Sequence, residues 1–127
     1  MVTLLILAYN EENFIEKTVR KYINEFKEII IIDDSSKDRT YSICKKLQDE
    51  YDNIKIIKNS KNLGAGKSFE VGAKYFLNSE SDFLLKIDGD DQFKYSDIVR
   101  IKKLSAKVSA DFIKCDRFWE NGIEGKI

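Results

Sequence analysis

Short apolar runs alternate with amphipathic stretches along the whole 127-residue chain. Residues 2–7 (Val-Thr-Leu-Leu-Ile-Leu) are apolar on both faces of an extended backbone and predict a strand. Residues 11–26 place Ile15, Val19, Tyr22, Ile23 and Phe26 on one helical stripe. Asn10 is expected as the N-cap of that helix, and Glu11 and Glu12 suit the positive end of its dipole. Residues 28–33 contain Ile29-Ile30-Ile31-Ile32, a strand that needs cover on both faces. Helical spacing returns over 38–51 through Thr40, Cys44, Leu47 and Tyr51. Residues 53–57 predict a third strand and 64–77 a helix with Phe69, Ala73 and Phe76 inward. A fourth strand is expected over 82–87, a short helix over 96–104 and a fifth strand over 111–115.

Strands that alternate with helices are joined by crossovers and pair in parallel. The expected fold is therefore an α/β doubly wound, mostly parallel sheet, formed by residues 1–127 as one domain. In such sheets ligands bind beyond the carboxyl ends of the strands. Four loops are singled out: those after Leu7, Ile32, Ile57 and Ile87.

Charge narrows the function. Lys plus Arg and Asp plus Glu are each 22, so the chain is neutral overall. Nucleic-acid binding by phosphate neutralisation favours a basic protein, so no nucleic-acid partner is expected. No apolar run approaches the ~20 residues of a membrane helix. Cys44 and Cys115 form neither a metal pattern nor a disulfide framework, which fits a reducing, cytoplasmic setting.

The four loops carry the chemistry. No glycine precedes Gly64, so the Gly-rich turn of a dinucleotide fold is missing after the first strand. Asn10 there reads either as a helix cap or as part of a binding loop. Asp33-Asp34-Ser35-Ser36 follows the second strand. It reads either as a solvated turn, with Ser36 or Asp38 capping the next helix, or as a carboxylate that accepts from a base or ribose. Gly66-Lys67-Ser68 resembles the end of a P-loop, but Lys61 stands where that pattern needs glycine. The glycines still permit close backbone approach, and the helix N-terminus favours an anion.

Asp88-Gly89-Asp90-Asp91-Gln92 is the most informative segment. Its three carboxylates repel one another unless a cation or solvent relieves them. Oxygen ligands at a strand end suit a hard cation such as Mg²⁺ or Mn²⁺, shared with substrate phosphates. An exposed acidic turn is the plain alternative. An EF-hand is excluded because Phe93 stands at its glycine position.

Together these loops resemble glycosyltransferase family 2, the GT-A enzymes that use nucleotide-sugar donors. Ala8-Tyr9-Asn10-Glu11 is similar to the opening loop, Ile31-Ile32-Asp33-Asp34-Ser35-Ser36 to the second-strand motif, and Asn62-Leu63-Gly64-Ala65-Gly66 to the Gly-bearing loop. Asp88-Gly89-Asp90 is similar to the DxD motif, and residues 111–118 to the strand that ends in an Arg, here Arg117. Asp88-Gly89-Asp90-Asp91-Gln92 most resembles the polyprenyl-phosphate branch, typified by dolichol-phosphate mannose synthase.

The resemblance implies a Rossmann-like nucleotide-sugar-binding half that lacks the acceptor half. Asp90 and Gln92 would hold Mg²⁺ or Mn²⁺, with Asp88 contacting the ribose or the metal, so that Asp88 and Asp90 also face the nucleotide sugar. Ala8, Tyr9, Asn10, Glu11 and Asp34 would hold the nucleoside, and Gly64 and Gly89 would let the backbone approach it. Lys61, Lys67 and Arg117 would face the diphosphate. The implied partners are a UDP- or GDP-linked sugar and a lipid-phosphate acceptor, which would bring a cytoplasmic enzyme to the membrane surface. No catalytic base can be assigned. Two other functions are weighed: a non-catalytic nucleotide-sugar-binding module and a P-loop-type nucleotide hydrolase. Phe118 and Trp119 are expected to be uncovered, favouring self-association.

Overall fold

The computed structural model describes residues 1–107, in two compact units, Met1–Gln92 and a second that begins at Phe93. The predicted strand over 111–115, Arg117, Phe118 and Trp119 lie outside the described residues. Four strands alternate with helices: β1 (Val2–Ala8), α1 (Ile15–Tyr22), β2 (Glu28–Asp33), α2 (Thr40–Glu50), β3 (Ile54–Lys58), α3 (Ala65–Leu77) and β4 (Phe83–Asp88). Helix α4 (Tyr95–Ser105) belongs to the second unit.

The four strands form one parallel sheet in the order β3-β2-β1-β4. Leu5 lies opposite Ile30 and Leu7 opposite Ile32 across β1 and β2, while Leu7 lies opposite Asp88 on β4. Strand side chains alternate between faces. Leu5, Leu7, Ile30 and Ile32 make one buried cluster, against which Val71 of α3 packs. Leu4, Ile6, Ile29 and Ile31 point to the opposite face and are also fully buried. The unbroken apolar runs of β1 and β2 thus reflect cover on both sides.

The stripe expected for the first helix is buried from Ile15 to Phe26, but its start differs. Helix α1 begins at Ile15 rather than at residue 11. Asn10 adopts φ 52°, a left-handed conformation incompatible with helix entry. The Glu11 carbonyl accepts from the amides of Phe14 (3.0 Å) and Ile15 (2.8 Å), closing a turn first. Asn10 is therefore not the N-cap; its Oδ1 accepts from the Lys37 amide at 2.8 Å, tying the first loop to the second. In α2, Thr40, Cys44 and Leu47 are buried as expected. Burial, reinforced by nearby Asp33, pushes the Cys44 thiol up to about 12, so it stays protonated and unreactive.

Helix α3 presents a different face from the one its aromatic residues suggest. Phe69 is exposed, whereas Ser68 and Gly72 are buried. A Cβ at Gly72 would lie 2.5 Å from Cδ1 of Leu5. The helix backbone therefore rides close to the sheet, and small residues one turn apart make the contact. The apolar stripe was a poor guide because close approach selects for small side chains rather than large ones.

Candidate nucleotide and metal site

A cavity of about 240 Å³ opens at the carboxyl ends of β1, β2 and β4. Its floor is the end of β1, Leu7 and Ala8, with Tyr9 and Glu11 from the loop that follows. Asp34 contributes from β2, Ala65 and Ser68 from the start of α3, and Asp88 and Asp90 from β4 and its loop.

Asp33 closes β2 and Asp34 opens the loop after it, and their carboxylates take different partners. Asp33 is fully buried and accepts from the Ser36 amide and hydroxyl. Asp34 turns toward α3. Its carboxylate accepts from the amides of Leu63 (2.7 Å) and Gly64 (2.9 Å) and from Asn59 Nδ2 (2.9 Å). Burial alone would raise the Asp34 carboxyl, but the bonds from Leu63, Asn59 and Gly64 outweigh it and hold the group below its ordinary range.

The first two loops are laced together. The Asn10 amide donates to Ser36 Oγ (2.9 Å), the Glu11 amide to Thr40 Oγ1 (2.8 Å), and the Glu12 amide to Asp38 Oδ2 (3.2 Å). Asp38 also accepts from the Thr40 amide at 2.9 Å, serving the first turn of α2. Among the described residues three non-glycine residues have positive φ, Asn10, Ser35 and Asp91, and all lie in these strand-end loops. Backbone strain of this kind gathers where a site is held in shape by its surroundings.

The acidic segment divides its work. Asp91 is claimed by α1: its carboxylate bonds Lys21 and pairs with Lys17 at 3.4 Å, and the Lys21 bond is the main cause of its lowered pKa. Asp88 and Asp90 line the cavity, and Asp88 also pairs with Lys86 of β4 at 3.1 Å. Glu11 faces them, and burial followed by the charges of Asp90, Asp88 and Asp38 raises its carboxyl. Gly89 lets this loop lie against α1. A Cβ there would stand 2.9 Å from Ile15 Cδ1, while its amide donates to the Leu7 carbonyl at 3.0 Å.

Several expected residues lie away from the cavity wall. Lys67 pairs with Glu70 at 3.6 Å along α3, and Lys61 is exposed. Gln92 is exposed, with its amide donating to Asp90 Oδ1 at 3.4 Å, and Asn10 is spent on the loop lacing. Gly64 sits at φ 88°, the left-handed turn into α3 that glycine makes without strain. Ser68, the last residue of the P-loop-like triplet, is buried with its hydroxyl accepting from Asn59 Nδ2 at 3.0 Å, so the triplet makes no phosphate cradle. Asn59 was not legible as a site residue, and Ser68 was marked only as the end of the P-loop-like triplet. The available signal for Asn59 was a polar side chain directly after β3.

Among the described residues no group of three acidic, His or Cys side chains could by itself hold a metal ion. Asp88 and Asp90 nevertheless fit a hard cation, because Mg²⁺ takes one or two carboxylates and completes its shell with water and substrate phosphate.

A family model, Glycosyl transferase family 2, matches residues 3–126. A UDP-N-acetylglucosamine–dolichyl-phosphate N-acetylglucosaminyltransferase of Methanococcus voltae is 34% identical over 114 residues, covering 80% of this chain and 45% of that protein. The structure of S. aureus TarS 1–349 in complex with UDP superposes with a TM-score of 0.64 at 26% identity, covering 83% of this chain and 31% of that one. The mannosyltransferase PcManGT of Pyrobaculum calidifontis, solved with GDP-Man and Mn²⁺, shares the fold with a TM-score of 0.68 at 15% identity, over 80% of this chain and 31% of that one. The chain spans about half the length of the curated relatives it matches.

Proposed function

The chain belongs to glycosyl transferase family 2, and on that footing we propose that it holds the donor of a sugar transfer, a UDP- or GDP-linked sugar with Mg²⁺ or Mn²⁺. The acceptor in this reading is a polyprenyl phosphate, in keeping with the dolichyl-phosphate enzyme of M. voltae, and it would bring the protein to the cytoplasmic surface of a membrane.

One observation carries the proposal: Glu11, Asp88 and Asp90 converge on a single cavity, where Lys86 pairs with Asp88 at 3.1 Å yet burial and the charges of Asp90 and Asp88 still raise the Glu11 carboxyl. A bound cation would relieve that repulsion. When bound, the cation would neutralise charge on the departing nucleoside diphosphate. Asp88 and Asp90 would hold it. Tyr9, 41% exposed at the rim, offers a ring face on which a base can stack. Gly89 keeps the Asp88–Asp90 backbone tight against β1, which fixes where the carboxylates stand.

Calorimetry with UDP- and GDP-sugars, in Mn²⁺ and in chelator, tests the binding part. Binding in Mn²⁺ that weakens at least about tenfold in chelator is expected, and equal affinity would refute the metal role. Transfer of labelled sugar to polyprenyl phosphate tests the acceptor.

A further inference from the structure

Asp88 and Asp90, which line the cavity, are joined through Gly89, and glycine turns more freely about its backbone than any other residue. Peptide units are planar, so the placing of one carboxylate against the other depends on how the planes on either side of Gly89 are held. The first plane is held by β1: the Gly89 amide donates to the Leu7 carbonyl at 3.0 Å. The second is held by α1. Thr18, only 1% exposed, directs its hydroxyl at the Gly89 carbonyl (3.3 Å) and at the Phe14 carbonyl (2.9 Å). A hydroxyl has one proton to give, which these two carbonyls share. The Phe14 carbonyl also accepts from the Thr18 amide at 3.0 Å, so α1 keeps its own backbone bond without the hydroxyl. The bond to Phe14 instead selects the side-chain rotamer that aims the hydroxyl across at Gly89. Ile15, three residues earlier on the same face of α1, closes the contact: its Cδ1 stands 2.9 Å from where a Gly89 Cβ would be.

We propose that Thr18 is a positioning residue of the cation site: its hydroxyl pins the peptide plane between Gly89 and Asp90 and so sets Asp90 against Asp88 for a divalent cation. The inference rests on the donor-and-cation reading above. It gives a role to a residue of α1 that no motif marked and that does not line the cavity. The tie differs from the one that Asp91 makes. Asp91 follows the second carboxylate, so its bonds to Lys17 and Lys21 act outside the link between Asp88 and Asp90. Loss of the Thr18 hydroxyl takes a donor from a buried carbonyl and frees the glycine pivot. Ordering that the fold no longer supplies must then come from cation binding, which weakens it.

The test uses the full chain with Thr18→Val, which keeps the branched shape but removes the hydroxyl, and Thr18→Ser, which keeps the hydroxyl. Affinities for UDP and GDP are measured by calorimetry in Mn²⁺ and in chelator, and amide exchange is followed at Gly89, all well below each variant's Tm. Thr18→Val is expected to cut the gain in affinity that Mn²⁺ brings by about three- to tenfold, to leave the affinity in chelator within about twofold, and to speed exchange at Gly89. Thr18→Ser should return the Mn²⁺ gain to within about twofold of the native chain. Thr18→Ala, a better helix former that also lacks the hydroxyl, keeps the test open if Thr18→Val fails to fold. A lowered Tm with the Mn²⁺ gain intact would make Thr18 a core residue only and overturn the proposal. So would equal losses in Mn²⁺ and in chelator, or a Thr18→Ser chain that does not regain the Mn²⁺ effect. A native chain that binds neither nucleotide, or binds them alike with and without Mn²⁺, refutes the function reading instead. Exchange at Gly89 then decides the tie by itself, and unchanged exchange in Thr18→Val overturns it.

Discussion

Glu11 stands where three other carboxylates press on it, and burial with the charges of Asp90, Asp88 and Asp38 raises its pKa above the ordinary 4.5. A group that holds its proton more tightly when folded favours the folded state at low pH. That contribution is lost as the pH rises from 4.5 through the raised value, because the folded chain must then carry the repelled charge. Glu11→Gln is therefore expected to raise Tm at pH 7 and to match the native chain near pH 4. Scanning calorimetry across that range checks it, and a difference that ignores pH would contradict this account. Asp90 and Asp91, neighbours in sequence, should separate cleanly. Asp91→Ala releases Lys17 and Lys21 and is expected to cost about 1–2 kcal/mol of stability, since one partner of the pair is well exposed. It should leave the Mn²⁺-dependent nucleotide affinity within about twofold. Asp90→Ala should do the reverse, weakening that affinity at least about tenfold with little change in urea midpoint.

At the scale of the element, α3 shows how close packing inverts the usual signal. Its contact with the sheet is made by Ser68 and Gly72, and Val71 packs on the Leu5, Leu7, Ile30 and Ile32 cluster. Adding a methyl at Gly72 gains up to about 1 kcal/mol of helix propensity. It also drives a Cβ to 2.5 Å from Leu5 Cδ1, in a core where Leu5 is fully buried. Overpacking of this kind costs about 1–3 kcal/mol. Gly72→Ala is thus expected to destabilise the chain by about 1–2 kcal/mol in urea unfolding. Phe69→Ala, on the exposed side of the same helix, should stay within about 0.5 kcal/mol. The opposite ranking would show that α3 turns its aromatic side inward.

For the molecule as a whole, the sheet order puts β1 and β2 in the interior, each paired on both sides, while β3 and β4 have one partner among the described residues. Ile29 to Ile32 and Leu4 to Ile6 are fully buried. Opening their amides requires dismantling both covering layers, so they should exchange only through global unfolding. Amides of β4, where Phe83, Leu84 and Leu85 are half-buried, should exchange faster. Hydrogen exchange resolved by strand tests this, and protection in β4 equal to that in β1 would mean that further chain covers its open side.

The sequence by itself determined the alternation of strands and helices, the parallel sheet and the four strand-end loops. Burial on two faces writes itself as unbroken apolar runs, and burial on one face as a helical stripe. It also marked Ala8, Tyr9, Glu11, Asp34, Asp88 and Asp90, which the fold gathers at one cavity. Tertiary structure alone decided how like residues divide their work. Asp33 takes Ser36 while Asp34 takes the amides of Leu63 and Gly64, Asp91 goes to two lysines some seventy positions earlier, and Asp88, paired with Lys86, lines the cavity with Asp90. Asn10 became a tie between loops instead of a helix cap, Asn59 joined the site without any motif, and Ser68 bonds Asn59 instead of ending a phosphate loop. The physical reason is common to these cases. A carboxylate or amide takes its role from the donors and charges that surround it, and in this chain those partners include Ser36, three positions from Asp33, and Lys17, seventy-four from Asp91.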